Sequence, residues 1–416
     1  MCRIGTRETH VTGTTMRAFA RNTRGNVAMI FALITIPILL VGAFAIDSSR
    51  HLSSNQHLQS AIDAASLAGA RALEDATKTD AEIEDIAKGA YQANLLGTHG
   101  DVACLDANVT VDRMNGTVTV AASCKTPTML GEALSRDNMD SISQATARAN
   151  LTKLDLALML DVSGSMSGQK LTDLQTAAKQ AAATLITPSS GDRVRISFVS
   201  YAAAVNAGEY GNPAQGNLDN DDSDGDGLDK VCVSERTGMA AWDDHEPELG
   251  KWVGDAASSC PDSSLLPLTY DLTTFNTAVD SLSAGGMTAG HLGIAWSWYL
   301  IAPDWDSIWP SASEPLSYTE PHSIKAVILM TDGKFNQAYE STLGDSNTQA
   351  KKMCDEMRDE NVRIYAVAFQ APNSAKNTLK DCTGDDSRFF DAGNGTELLA
   401  AYDAIASQLS ALTLVN

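Results

Sequence analysis

The chain has 416 residues, room for two or three domains, and 44% of them are hydrophobic, enough to build a sizeable core. Thirty Lys and Arg stand against 52 Asp and Glu, a net charge of −22. These values exclude a disordered or collagen-like chain and argue against nucleic acid as a partner, since neutralising phosphates takes clustered cations.

The charge is uneven along the chain. Residues 1–46 carry Arg3, Arg7, Arg17, Arg21 and Arg24 against the one acid Glu8. Val27–Ile46 then forms an uncharged apolar run, as long as the ~20 residues with which a helix crosses a ~30 Å hydrocarbon layer. Pro37 in its middle is tolerated in such a helix, where neighbouring groups satisfy the freed carbonyl. The reading is a transmembrane helix over 25–46, with residues 1–24 cytoplasmic and the rest outside the cytoplasm, because positive flanks stay inside. A cleaved signal peptide is the first alternative; Ala43-Phe44-Ala45 has the form of its exit, but its apolar region usually spans only about 7 to 15 residues. A buried core helix is the second, and it would show a polar face.

Of seven cysteines, Cys2 precedes the span and six follow it. Those six fall in three separate stretches, which suggests the local pairs Cys104/Cys124, Cys232/Cys260 and Cys354/Cys382 in an oxidising compartment, although six cysteines admit other connectivities. Buried free thiols are the alternative.

Beyond the span, Leu58, Ala61, Ile62, Ala65, Ala68 and Ala72 recur at helical spacing, a narrow and mostly alanine stripe suited to close helix packing. The run RGNVAMIFALITIPILLVGAFAIDSSR followed by HLQSAIDAASLAGARAL, about Arg24 to Leu73, resembles the TadE/TadG-like proteins of Flp (tight adherence) pilus assembly. Pilin-like members of that family present Gly followed five residues later by Glu, whereas Gly25 here is followed by Ile30. The resemblance therefore implies an uncleaved, TadG-like anchor. Val109, Val111, Val118 and Val120 alternate about Asn115-Gly116 and predict a hairpin with a tight turn, part of a small α+β module over 47–150 that ends in Ala-rich and Ser-rich sequence.

From Leu154, LDLALML reads as a strand buried on both faces and ends in Asp161-Val162-Ser163-Gly164-Ser165. At the carboxyl edge of an open α/β sheet, alternate residues can aim one carboxylate and two hydroxyls at one point, hard oxygen donors that suit Mg²⁺ or Mn²⁺. Gly285-Gly286-Met287-Thr288 adds a hydroxyl before a helix near His291, and Lys325–Asp332 is another buried strand ending in an acid. Together DVSGS, GGMT and MTDG resemble the metal-ion-dependent adhesion site of von Willebrand factor A domains, over Leu154 to about Leu412. The resemblance implies a doubly wound, mainly parallel α/β sheet over 151–416. It also implies metal ligation by Ser163, Ser165 and Thr288 directly, with Asp161 and Asp332 acting through water. A position stays open for an acidic side chain of a protein partner. Because a sheet edge faces solvent, loss of Asp161 or Thr288 is expected to weaken partner capture while leaving the fold nearly intact.

Leu171–Ile186 and Thr396–Leu412 read as helices, and Val194–Tyr201 and Asn361–Phe369 as strands. An insertion from about 202 to 267, rich in Asp, Gly, Ser and Pro, interrupts them; long insertions are usually functional or mobile. Within it Asp222, Asp224, Asp226 and Gly227 match positions 1, 3, 5 and 6 of a calcium loop. Position 12 is Val233, so Asp229 or Glu235 would have to supply the last carboxylate of a Ca²⁺ site; a solvated acidic loop is the alternative. No enzyme is expected. GSMSG lacks the central Ser of G-x-S-x-G, no Walker loop occurs, and His245, His291 and His322, without ligand spacing, are expected at the surface or as caps.

The resemblances imply a single-span bacterial inner-membrane protein with a periplasmic C-terminal domain, a TadG-like component of a Flp pilus assembly system that binds a protein partner through a metal ion. The alternatives are a surface-exposed or secreted adhesin using the same site, and an envelope scaffold that uses the fold without metal.

Overall fold

The computed structural model describes residues 26–95, 102–129, 137–216 and 230–415. Contacts divide the chain into two units, one through Gly69 with Ala81–Arg148, the other Ala70–Asp80 with Ala149 onward.

In the first unit the apolar run and the alanine stripe form one continuous helix, α1 (Asn26–Leu73), with Pro37 inside it. At ~1.5 Å per residue it is about 70 Å long. It is the one helix among the described residues long and apolar enough to cross a membrane, and its most apolar stretch buries nothing inside the protein. Leu58, Ala61, Ile62 and Ala65 are buried and Ala68 is half-buried. Small residues there let α1 approach α2 (Asp80–Leu95) and the sheet closely: a Cβ added to Gly69 would collide with Val118 and press on Ala87.

The hairpin is present as β2 (Asn108–Asp112) and β3 (Thr117–Pro127). Its turn is wider than expected, since Asp112 pairs with Thr117 and residues 113–116 form the loop. The Asp112 carboxylate accepts the Asn115 N–H at 3.0 Å, and Gly116 takes the positive φ of 63° that closes the loop. A short β1 (Ala103–Cys104) also pairs with β3, placing Cys104 opposite Cys124, and the two are bonded. The Ala- and Ser-rich tail holds a strand that the sequence reading missed: β4 (Asn138–Arg148) pairs antiparallel with the whole of β3.

The second unit is an α/β sheet with parallel strands in the order β12 (Phe389–Ala392), β11 (Arg363–Phe369), β10 (Ser323–Thr331), β5 (Lys153–Asp161), β6 (Val194–Tyr201). Three antiparallel pieces extend it beyond β6: β7 (Val205–Asn206), β8 (Cys232–Val233) and β9 (Leu266–Thr269). Alternation along β5 feeds two cores. Leu154, Leu156, Leu158 and Leu160 pack with α3 (Gln169–Leu185), α4 (Leu272–Asp280) and α8 (Gly395–Val415). Ala157 and Met159 face α5 (Gly290–Tyr299), α6 (Ser346–Asp359) and α7 (Asn373–Thr383).

The described parts of the insertion are built into the second core rather than draped over it. Ala214, Val233, Val253, Ala257 and Leu265 are buried there, and Cys232–Cys260 bonds β8 to the segment before β9. Buried Arg236 donates to the carbonyls of Lys251 at 2.8 Å and His245 at 2.9 Å, replacing the ladder that an irregular segment lacks. The third disulfide, Cys354–Cys382, joins α6 to α7.

Candidate metal centre

Parallel register brings the carboxyl ends of β5 and β10 side by side, with Leu329 opposite Met159, so Asp161 and Asp332 leave the sheet as neighbours. Asp161 is wholly buried. Its Oδ1 accepts the Ser163 N–H at 2.8 Å, and its Oδ2 accepts the hydroxyls of Thr331 at 2.7 Å and Tyr201 at 3.1 Å. Burial pushes its carboxyl above the ordinary range and the Asp332 charge adds to this, against the hydrogen bonds of Ser163 and Thr331. The same burial raises the Tyr201 phenol well above its usual value.

The other donors gather at the same point. Ser165 Oγ donates to Asp332 Oδ1 at 2.5 Å and lies 3.1 Å from Ser163 Oγ. Gly164 N donates to Gly286 O at 2.9 Å and Gly285 N to Val162 O at 2.8 Å, which locks the first loop to the glycine-rich second one. The Thr288 backbone is held from both sides: its N–H donates to Asn336 Oδ1 at 2.9 Å, and its carbonyl accepts the Asn336 N–H at 2.9 Å. A Cβ on Gly333 would stand 3.5 Å from Ser165 Oγ and 3.7 Å from Thr288 Oγ1, so glycine keeps open the space those hydroxyls flank.

The structure thus brings Asp161, Ser163, Ser165, Thr288 and Asp332 to one sheet edge. Among the described residues no group of three or more His, Cys, Asp or Glu forms a metal cluster. This constellation has two carboxylates and three hydroxyls, an all-oxygen set whose open cradle at Gly333 fits a small hard cation. The expected solvent exposure is corrected: Asp161, Ser163, Thr288 and Asp332 are at most 4% exposed, and Ser165 alone is exposed. Tyr201 and Thr331 meet the Asp161 carboxylate, and Ser165 and Lys170 meet that of Asp332. Lys170, at the start of α3, was not singled out from sequence; its Nζ lies 2.7 Å from Asp332 Oδ2.

Asp222, Asp224, Asp226 and Asp229 lie outside the described residues. Glu235 is among the described residues. It is buried, with Oε1 2.8 Å from His291 Nε2 and accepting the Tyr339 N–H at 2.8 Å. His291, expected at the surface or as a cap, is buried in the first turn of α5, its Nδ1 2.7 Å from Ser346 Oγ. Nothing in the local sequence marks it, because its partners come from the insertion and from α6.

Residues 25–72 match the family model described as putative Flp pilus-assembly TadE/G-like. No curated protein matches the chain. Among solved structures, similar folds include the von Willebrand factor domain of the type V pili tip protein Mfa5 from Porphyromonas gingivalis, with 12% identity and a TM-score of 0.39, covering 62% of this chain and 95% of that one. The pilus adhesin SpaC from Lactobacillus rhamnosus GG has 12% identity and a TM-score of 0.40, covering 74% and 34%. Proximal thread matrix protein 1 from the mussel byssus, with its MIDAS motif zinc-occupied, has 12% identity and a TM-score of 0.35, covering 61% and 47%. The chain thus spans about a third to a half of the length of the last two. Similarity at this level says nothing of the family to which this chain belongs or of what it binds.

Proposed function

We propose that the chain is a membrane-anchored component of Flp/Tad pilus assembly that binds Mg²⁺ or Mn²⁺ at Asp161, Ser163, Ser165, Thr288 and Asp332 and, through it, an acidic side chain of a protein partner. The observation that carries the metal reading is that Ser163, Ser165, Thr288 and Asp332, from three separated loops, meet at one glycine-lined opening, with Asp161 bonded to the Ser163 N–H. The anchor reading is supported by the match over residues 25–72 and by the long apolar helix. On this reading residues 1–24 are cytoplasmic, 25–46 cross the inner membrane, and 151–416 form the periplasmic binding domain. The three hydroxyls would hold the cation, with Asp161 holding the Ser163 backbone and Asp332 the Ser165 hydroxyl by the hydrogen bonds described. When bound, the ion supplies a positive centre for a carboxylate, with no bond made or broken.

Calorimetric titration of Mg²⁺, Mn²⁺ and Ca²⁺ into the full chain in detergent tests the reading. Binding abolished by Ser165→Ala is the expected result, and no binding of Mg²⁺ or Mn²⁺ refutes it. We also propose Ca²⁺ at Asp222, Asp224 and Asp226, for which loss of Ca²⁺ binding in Asp222→Ala/Asp224→Ala is the corresponding test.

A further inference from the structure

We propose that Glu235, carried by the insertion, is a positioning residue for the metal site: it holds the Thr288 loop and the Asp332 loop in their ligand-ready relation. The inference rests on the metal reading above. Glu235 meets both loops through one oxygen. His291, whose Nε2 lies 2.8 Å from Oε1, stands three residues after Thr288 in the first turn of α5. Tyr339, whose N–H donates to the same oxygen at 2.8 Å, ends the loop that begins at Asp332. That loop in turn carries Asn336, which grips the Thr288 backbone at 2.9 Å in both directions. The Tyr339 hydroxyl reaches Ala203 O at 3.0 Å, next to Ala202, whose carbonyl accepts the Ala289 N–H at 2.7 Å. A single buried carboxylate therefore spans two of the three ligand-bearing loops.

Its own anchorage is stiff. Ser234 and Gly254 form a backbone bridge on either side of it, with Ser234 N to Gly254 O at 2.7 Å and Gly254 N to Glu235 O at 3.2 Å, and the Cys232–Cys260 bond lies three residues upstream. Among the described residues Glu235 Oε2 is buried without a hydrogen-bond partner. A buried oxygen left unpaired lowers stability, and a carboxylate kept under that cost is a sign of a role other than packing. Burial alone would raise this carboxyl, but the hydrogen bond and charge of His291 and the Tyr339 N–H outweigh it and hold it below the ordinary range, so it is ionised at neutral pH.

The experiment is Mn²⁺ calorimetry with amide exchange on the full chain in detergent. Glu235→Ala is expected to weaken Mn²⁺ binding roughly tenfold, within the usual range for coupled sites, and to speed exchange at Asn336 and Gln337. Glu235→Gln, which keeps an acceptor oxygen in place, should stay within about threefold of wild type by the same scale. Asp244→Asn is the control, since it perturbs a half-buried hydrogen bond of the same insertion, from the Tyr318 hydroxyl at 2.6 Å, away from these loops; its Mn²⁺ affinity should be unchanged. Wild-type affinity in Glu235→Ala, or an equal loss in Asp244→Asn, overturns the proposal. Should Glu235→Ala fail to fold, His291→Gln carries the test: weakened binding supports the proposal, and wild-type affinity overturns it. Absence of Mn²⁺ binding in the wild type would instead remove the metal reading, and this inference with it.

Discussion

The Lys170 ammonium meets Asp332 Oδ2 at 2.7 Å, and the Asp332 side chain is fully shielded while Lys170 keeps 26% of its own exposed. The protein therefore places a cation of its own against one of the two carboxylates of the candidate metal centre. Opposite charges at such a distance attract strongly where water is excluded. An arriving divalent ion and the ammonium compete for the same negative charge.

Lys170→Met should therefore lower the Kd for Mn²⁺ by about tenfold, equivalent to ~1.4 kcal/mol. Without added metal the same variant should melt at a lower temperature than wild type, because Asp332 loses its paired charge, and Mn²⁺ should restore it. Calorimetry and thermal melts with and without EDTA read both effects. Weaker Mn²⁺ binding in the variant would mean that Lys170 orients Asp332 instead of competing for it.

Burial of the ligands separates good probes from poor ones. Asp161→Ala would strand the Ser163 N–H and the Thr331 and Tyr201 hydroxyls around an empty space, at a cost of about 2–4 kcal/mol. Ser165→Ala removes one hydrogen bond to Asp332, which keeps its Lys170 partner, and should cost about 1–2 kcal/mol, less than Asp161→Ala, while losing metal binding. Denaturant unfolding of both variants checks the contrast; equal stabilities would mean that the Asp161 network contributes little.

The five candidate ligands could be named from sequence because DVSGS and MTDG each end a buried strand and GGMT is a glycine-rich loop before a helix, and continuous apolar runs such as LDLALML marked the strands themselves. What meets the Asp161 carboxylate was not legible. Tyr201 ends β6 and Thr331 ends β10, and only pairing in three dimensions places their hydroxyls on Asp161. The buried His291 depends on Glu235, 56 residues away in sequence. Strand β4 escaped notice because Asn138–Arg148 buries little beyond Ser141, leaving no apolar alternation to read. The cysteine pairs were suggested by proximity alone, and the three bonds formed match that order.

The Cys354–Cys382 bond is fully buried between α6 and α7 and spans 28 residues. A closed loop of this length restricts the unfolded chain by about 3–4 kcal/mol in the chain-entropy account. Cys354→Ala/Cys382→Ala should lose stability on that scale, read by urea unfolding, while Mn²⁺ binding survives at temperatures where the variant is folded. A change under ~1 kcal/mol would show that the entropic contribution is offset in the native state.

At the opposite end of β10, Lys325 is buried with its Nζ 3.3 Å from Asp155 Oδ2 and donating to Ile301 O at 2.6 Å. Burial pulls its pKa down from 10.5 to about 8, although Asp155 works in the other direction. Below pH ~8 both folded and unfolded chains carry the proton and the penalty for burying the charge is present in full; between about 8 and 10.5 the unfolded chain binds more protons, so this group adds stability as pH rises. Lys325→Met removes that pH-dependent contribution. The stability difference, wild type minus variant, should accordingly grow between pH 7 and pH 9.5 by ~2 kcal/mol, measured by denaturant unfolding at both values, where all other titrations cancel in the difference. A difference that stays flat, or shrinks, would show that Asp155 holds Lys325 charged throughout this range and that the ion pair, rather than burial, governs its proton.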